Sequence, residues 1–178
     1  MLLKNEIVSL RPLEPSDVDN LYKWENDPDI WEVSYTTMPY SKYALNNYIS
    51  DSAQRDIYEM RQFRFVVEHN ATKTAVGLAD VFDFEPFDMR GAVGIAVNEP
   101  SARGKKIATN AMRLLIDYCF NYLHFNQLYA RIFTDNVASI ALFKSLGFEE
   151  CGVFKKWHLS QDGWKDEAVF QLINGDGI

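Results

Sequence analysis

The alternation of apolar and polar positions changes period several times along the chain, and each change marks an element. Residues 6–11 alternate with period two, as a half-buried strand does. Pro12 and Pro15 interrupt that pattern. Ser16 or Asp17 is then placed to cap a helix whose apolar side is Val18, Leu21, Tyr22 and Trp24. Asp27-Pro28-Asp29 is expected to close it, because the residue before a proline is pushed out of helical geometry. The stretch 30–40 has no clean period and collects Trp31, Tyr35 and Tyr40; a second helix is predicted over 42–53, with Tyr43, Leu45, Tyr48 and Ile49 on its less polar side. Period two returns at Phe63, Phe65 and Val67, turns at His69–Lys73 and comes back over 74–84. Residues 91–97 are almost wholly apolar, the pattern of a strand buried on both faces. Ala108, Ala111, Met112, Leu115, Cys119, Tyr122 and Leu123 recur at three or four, which predicts an amphipathic helix over 105–124. A strand at Gln127–Thr134 follows, then a short helix at Val137–Leu146 stopped by Gly147. Strands 148–158 and 165–173 around the turn Gln161–Trp164 complete the chain.

The order strand-helix-helix-strand-strand-strand-helix-strand-helix-strand-strand predicts an α/β fold, with a mixed sheet of about seven strands and helices on both faces. The 178 residues fit one domain, with its core over about 6–173. A net charge of −7 argues against nucleic acid or an anionic membrane as partner. It suits a cationic partner, and equally plain solubility. The opening Met1–Glu6 turns polar too early for a signal peptide, and no apolar run reaches membrane-spanning length. Cys119 and Cys151 match no metal-ligand or disulfide spacing. The expected compartment is therefore the cytoplasm, with no metal, and Cys119 reads as a buried thiol.

Two segments carry chemistry. In the first, the apolar strand 91–97 gives way to Arg103-Gly104-Lys105-Lys106 and then to the long helix. A helix start has unpaired N–H donors and the positive end of the dipole, and a glycine lets the backbone approach a ligand closely. With basic side chains added, this suits a pyrophosphate; a merely solvated basic helix start is the other reading. In the second, Asn136 ends a strand and is the natural cap of a helix containing Ser139, which runs to Leu146-Gly147-Phe148.

Together these segments resemble the GNAT superfamily of N-acetyltransferases. The loop is similar to its motif Q/R-x-x-G-x-G/A, with Arg103 first and Ala108 last, and the Asn136–Phe148 segment is similar to its closing motif. Leu10-Arg11-Pro12-Leu13 and Trp24-Glu25-Asn26-Asp27-Pro28 resemble the branch of ribosomal-protein N-terminal and spermidine acetyltransferases. The resemblance implies acetyl-CoA as cosubstrate and direct attack by a primary amine of a small molecule or a peptide N-terminus. A polyamine-type enzyme and a catalytically quiet acyl-CoA-binding module are the alternatives. It implies a fourth strand splayed from the fifth, with the backbone of Ile95, Ala96 and Val97 bonding the pantetheine arm. The amides of Arg103, Gly104, Lys105, Lys106, Ile107 and Ala108 would hold the pyrophosphate. Asn136, Ser139, Phe143 and Lys144 would flank the coenzyme. Tyr35, Tyr40 and Asp80 are the acceptor-side candidates, and a homodimer is a further expected partner.

Three positions depart from the family pattern. Lys106 fills the central glycine slot, where a side chain disfavours positive φ. Phe143 stands where many members have a proton-donating tyrosine, which leaves Ser139 or a water as donor. Val93 replaces a glutamate often used as base, so a base must lie elsewhere, and Asp80 is the candidate in sequence. His124 and His158 read as structural or exposed.

Overall fold

The computed structural model describes residues 3–175. Strands β1 (Val8–Pro12), β2 (Phe63–His69), β3 (Thr74–Glu85), β4 (Arg90–Val97), β5 (Gln127–Phe133), β6 (Glu149–Ser160) and β7 (Gly163–Ile173) form one seven-stranded sheet in the order β1-β2-β3-β4-β5-β7-β6. Every neighbouring pair is antiparallel except β4 with β5, so the sheet is mixed as the sequence predicts. A parallel pair needs a crossover, and helix α5 (Ile107–Asp117) supplies it.

The two faces of the sheet bury different helices. Helices α1 (Val18–Glu25) and α3 (Lys42–Gln54) set Leu21, Trp24, Leu45 and Ile49 against Val66 and Leu78. On the other face α5 sets Ile107, Ala111, Met112 and Leu115 against Val67, Ala79, Val81, Leu128 and Phe170. Neighbouring Val66 and Val67 thus serve opposite cores, as side chains on one strand must. Cys119 lies fully buried in the α5 core.

Several expectations are corrected. Asp27-Pro28 follows the end of α1 as expected, but it also starts a further helix, α2 (Pro28–Ser34). The Asp27 side chain accepts from the Asp29 amide at 3.0 Å, and Pro28 sits in the first turn, where its missing N–H leaves nothing unpaired. The stretch 30–40 is accordingly half helical, and α2 ends on Tyr35 in the left-handed region at φ 56°. A one-turn helix, α4 (Ile57–Met60), capped by Asp56, precedes β2. Asp17 does stand at the start of α1 but does not cap it: its carboxylate holds Arg11 and, in the turn before the helix, the Glu14 amide. The long helix begins at Ile107, because Gly104 and Lys106 both adopt positive φ, and it continues past Asp117 as a π-helical turn over Tyr118–Tyr122. Helix α6 (Val137–Ser145) keeps its expected place.

Candidate active site

Strands β4 and β5 pair only from Arg90↔Gln127 to Ala92↔Tyr129. Beyond that point β4 stays with β3, and β5 stays with β7. The sheet therefore opens into a cleft of about 590 Å³ between Val93–Val97 and Ala130–Phe133. That size is typical of small-ligand sites. This corrects the expectation for residues 91–97: Gly91, Ala92 and Val93 are buried, whereas Gly94–Val97 are half-buried because one edge of β4 faces the opening. Gly77 holds β3 tight under that end of β4. A Cβ there would lie 2.0 Å from the Ala96 carbonyl oxygen.

The basic loop begins where β4 ends. Arg103, Gly104, Lys105 and Lys106 are all exposed. Among the described residues none of the three basic side chains forms an ion pair. Arg103 Nε donates to the Val97 carbonyl at 3.2 Å and ties the loop to the cleft rim. Gly104 has φ +74° and nothing within 4 Å of an added Cβ, so its backbone is open to a ligand. Lys106 adopts φ 59° as the residue before α5, and no side chain caps that helix. The glycine-slot geometry is thus kept by a lysine, at a strain cost of about 1 kcal/mol. Ile107 opens α5 and is buried; in a first helical turn the amide has no partner within the helix.

Helix α6 forms the other wall. Asn136 Oδ1 accepts from the Ser139 amide at 3.1 Å, the cap expected from sequence. Asn136, Ser139 and Phe143 line the cleft. The Ser139 hydroxyl has no hydrogen-bond partner among the described residues, and Phe143 packs edge-on to Phe148 at 5.0 Å. Lys144 turns away instead: its Nζ lies 3.8 Å from Glu150 and 5.8 Å from the Phe170 ring.

The far end of the cleft is covered by α2 and is rich in carboxylates. Asp80 lines it but is not free. Arg64, its direct neighbour across β2 and β3, donates to both its oxygens at 2.7 and 3.0 Å and also to Glu25. Burial alone would lower the Arg64 pKa, but Asp80 and Glu25 outweigh it and hold the guanidinium firmly charged. Glu32 of α2 and Asp135 share Lys165, each at 3.0 Å. Tyr35 also lines the cleft, and its hydroxyl donates to Glu167 Oε1. Tyr40 does not; it is held by Asn26 on the outer side of α1.

Glu167 of β7 is the residue that sequence reading missed. It is fully buried and lines the cleft, its Oε2 has no hydrogen-bond partner, and burial pushes its pKa up. Arg131 Nε stands 3.9 Å from that oxygen, beyond hydrogen-bond reach. In sequence Glu167 looks like the polar member of an alternating strand, Lys165-Asp166-Glu167-Ala168, and only the arrival of Tyr35 from α2 encloses it. Among the described residues no cluster of His, Cys, Asp and Glu is placed to hold a metal.

A splayed parallel strand pair thus has a glycine-bearing basic loop and an uncapped helix start at its rim. Residues 8–149 match the family model described as an acetyltransferase (GNAT) domain. The spermidine N(1)-acetyltransferase of Escherichia coli (strain K12) is 29% identical over 141 residues, covering 79% of this chain and 72% of that protein. A probable N-acetyltransferase of Bacillus subtilis (strain 168) is 24% identical over 187 residues, covering 98% of each. The solved structure of spermidine N-acetyltransferase from Vibrio cholerae in complex with CoA and spermine superposes with a TM-score of 0.84 at 23% identity, over 96% of this chain and 97% of that one. The chain belongs to the GNAT family and is an acetyl-CoA-dependent N-acetyltransferase.

Proposed function

We propose that this acetyltransferase acts on a cationic primary amine, taken in under α2, with the coenzyme arm in the β4–β5 opening. The observation that carries this reading is the opposite charge of the two ends of the site. At the loop end Arg103, Lys105 and Lys106 are exposed and, among the described residues, in no ion pair, which suits a pyrophosphate. At the α2 end carboxylates exceed cations: Glu25 and Asp80 share Arg64, Glu32 and Asp135 share Lys165, and Glu167 has only the distant Arg131. This local excess of carboxylates, buried at Glu167 and exposed at Asp135, favours an ammonium group. The spermidine and spermine named for the relatives carry such groups, and so does a peptide N-terminus.

Bound acetyl-CoA supplies an activated acetyl thioester. The chain's own residues do the rest. Unpaired backbone donors on the Val93–Val97 edge face the opening and stabilise charge that develops on the acyl oxygen. The Gly104–Ala108 amides and the α5 dipole hold the anionic end. Ser139, with a free hydroxyl on α6, protonates the departing thiolate directly or through a water, because Phe143 has no proton to give. Asp80, gripped by Arg64, positions that guanidinium at the cleft wall rather than taking a proton. The unpaired state of Cys119 and Cys151 suits a reducing compartment, here the cytoplasm. No described helix is long and apolar enough to cross a membrane. A second copy of the chain is the further partner in this reading, and gel filtration with light scattering sizes the assembly.

The test is thiol release from acetyl-CoA with spermidine, spermine, lysine, an aminoglycoside and short peptides with free N-termini. Amine-dependent release supports the reading, and the ranking of acceptors names the class. Release that no amine stimulates supports the quiet acyl-CoA-binding alternative.

A further inference from the structure

Glu167 is a fully buried acid whose second carboxylate oxygen has no folding role among the described residues. One carboxylate oxygen accepts from the Tyr35 hydroxyl; the other is enclosed and accepts no hydrogen bond, and the residue lines the cleft. A buried carboxylate oxygen that accepts no hydrogen bond is costly to keep. Groups kept in such a state mark positions where a ligand completes the bonding.

The surroundings are built to keep that oxygen free. On β5, Arg131 stays at 3.9 Å while its guanidinium lies 5.7 Å from the Tyr35 ring centre. On β6, His158 meets the Tyr35 ring edge-on at 4.8 Å and also packs on Phe133 at 5.0 Å. On β7 itself, Lys165 is drawn off by Glu32 and Asp135. Tyr35 reaches Glu167 from a left-handed backbone position, φ 56°, that a bulky residue adopts only when its surroundings impose it.

We infer that Glu167 is the general base of the reaction: its Oε2 takes the proton of the acceptor ammonium, with Tyr35 holding the carboxylate in place. This rests on the amine-acetylation reading above and supplies the base that Val93 does not. The balance is complete. One ammonium proton passes to Oε2, and the freed nitrogen lone pair forms the C–N bond as the C–S bond breaks. The second proton on that nitrogen leaves with the thiolate sulfur, and Glu167 returns its own proton to solvent. Burial pushes the Glu167 pKa above the ordinary carboxylate range, closer to the working pH of a base.

The experiment is Glu167→Gln, which still accepts from Tyr35 but cannot take a proton. With whichever amine of the panel gives most turnover, kcat/KM is expected to fall by about 10²–10⁴-fold and to lose its acidic limb. The dissociation constant of acetyl-CoA, measured by calorimetry, stays unchanged. A second readout needs no coenzyme. A carboxyl whose folded pKa is raised binds more protons folded than unfolded, so wild-type stability falls as pH rises from the ordinary carboxylate range through the raised value. Glu167→Gln lacks that fall and is at least as stable as wild type at pH 7, the reverse of what a structural carboxylate gives. Should that variant fail to fold, a structural role is established and the inference falls. Tyr35→Phe is the companion: loss of its donated hydrogen bond moves the acidic limb to higher pH. A folded Glu167→Gln enzyme with wild-type kcat/KM and an unchanged acidic limb overturns the inference alone. Wild type that binds acetyl-CoA but acetylates no amine overturns the functional reading and the inference with it.

Discussion

Replacing Gly104 by valine separates the ligand-holding role of the loop from its part in folding. An added Cβ meets nothing within 4 Å, so no packing is disturbed. The backbone stands at φ +74°, where an L side chain costs about 1–2 kcal/mol. In a domain of this size about 1 kcal/mol moves the melting temperature by roughly 2–4 °C, so the ligand-free variant melts within about 8 °C of wild type. The bound state loses more. The valine methyls occupy the approach to the loop amides, and a hydrogen bond to a charged group contributes about 1.5–3 kcal/mol. Losing one such bond weakens acetyl-CoA by about 10- to 150-fold. Scanning calorimetry without ligand gives the first quantity, and titration calorimetry with acetyl-CoA gives the second. A folded Gly104→Val protein with unchanged affinity refutes the assignment of the pyrophosphate to this loop. A melting temperature lowered far beyond that range refutes the claim that the position is structurally permissive.

Other positions give separate tests. Gly77→Ala sets a Cβ 2.0 Å from the Ala96 carbonyl and must push β3 from β4; it is expected to cost about 1–3 kcal/mol in urea denaturation and to weaken acetyl-CoA as the Ile95–Val97 wall shifts. Ser139→Ala is expected to lower kcat with coenzyme affinity intact, and full turnover under saturation would mean that the thiolate leaves without help from Ser139. Phe143→Tyr, in a buried site against Phe148, tests whether a restored hydroxyl speeds thiol release or disturbs the wall. Asp17→Asn removes the charge and one of the two oxygens that Arg11 bonds at 2.7 and 2.8 Å and is expected to cost about 1.5–3 kcal/mol, since Arg11 is partly exposed and keeps Glu68. Burial would raise the Asp17 pKa, but Arg11 and the Glu14 amide outweigh it and hold it below the ordinary value. That stabilisation is present above the unfolded pKa of about 3.9 and is lost as pH falls through the folded value, so the two proteins converge in urea titrations in acid.

Period and punctuation carried most of the fold. Strand β2 was legible from its period, β4 from its apolar run and β6 and β7 from the turn between them, and the Asn136 cap and Gly147 stop are local signals with local causes. Helix α2 was hidden because Asp27-Pro28 reads the same way as a stop and as a start; the Asp29 amide bond decides for a start. At Lys106 the sequence shows only that a glycine is absent; that the backbone still takes positive φ there is seen only in the structure. The coenzyme side of the site lies on contiguous motifs and could be found from them. The acceptor side is assembled by long-range contacts: Arg64 with Glu25, Lys165 with Glu32, Tyr35 with Glu167. No periodicity records such pairs, because each member looks like an ordinary charged position on its own element.

The opening between β4 and β5 as the coenzyme site is the claim on which the rest depends, and amide hydrogen exchange with and without acetyl-CoA tests it most directly. Binding is expected to slow exchange at Ile95–Val97, at Gly104–Ala108 and along Asn136–Phe143, with α3 and β1 unchanged. Exchange that slows elsewhere while these segments keep their free rates would contradict the assignment.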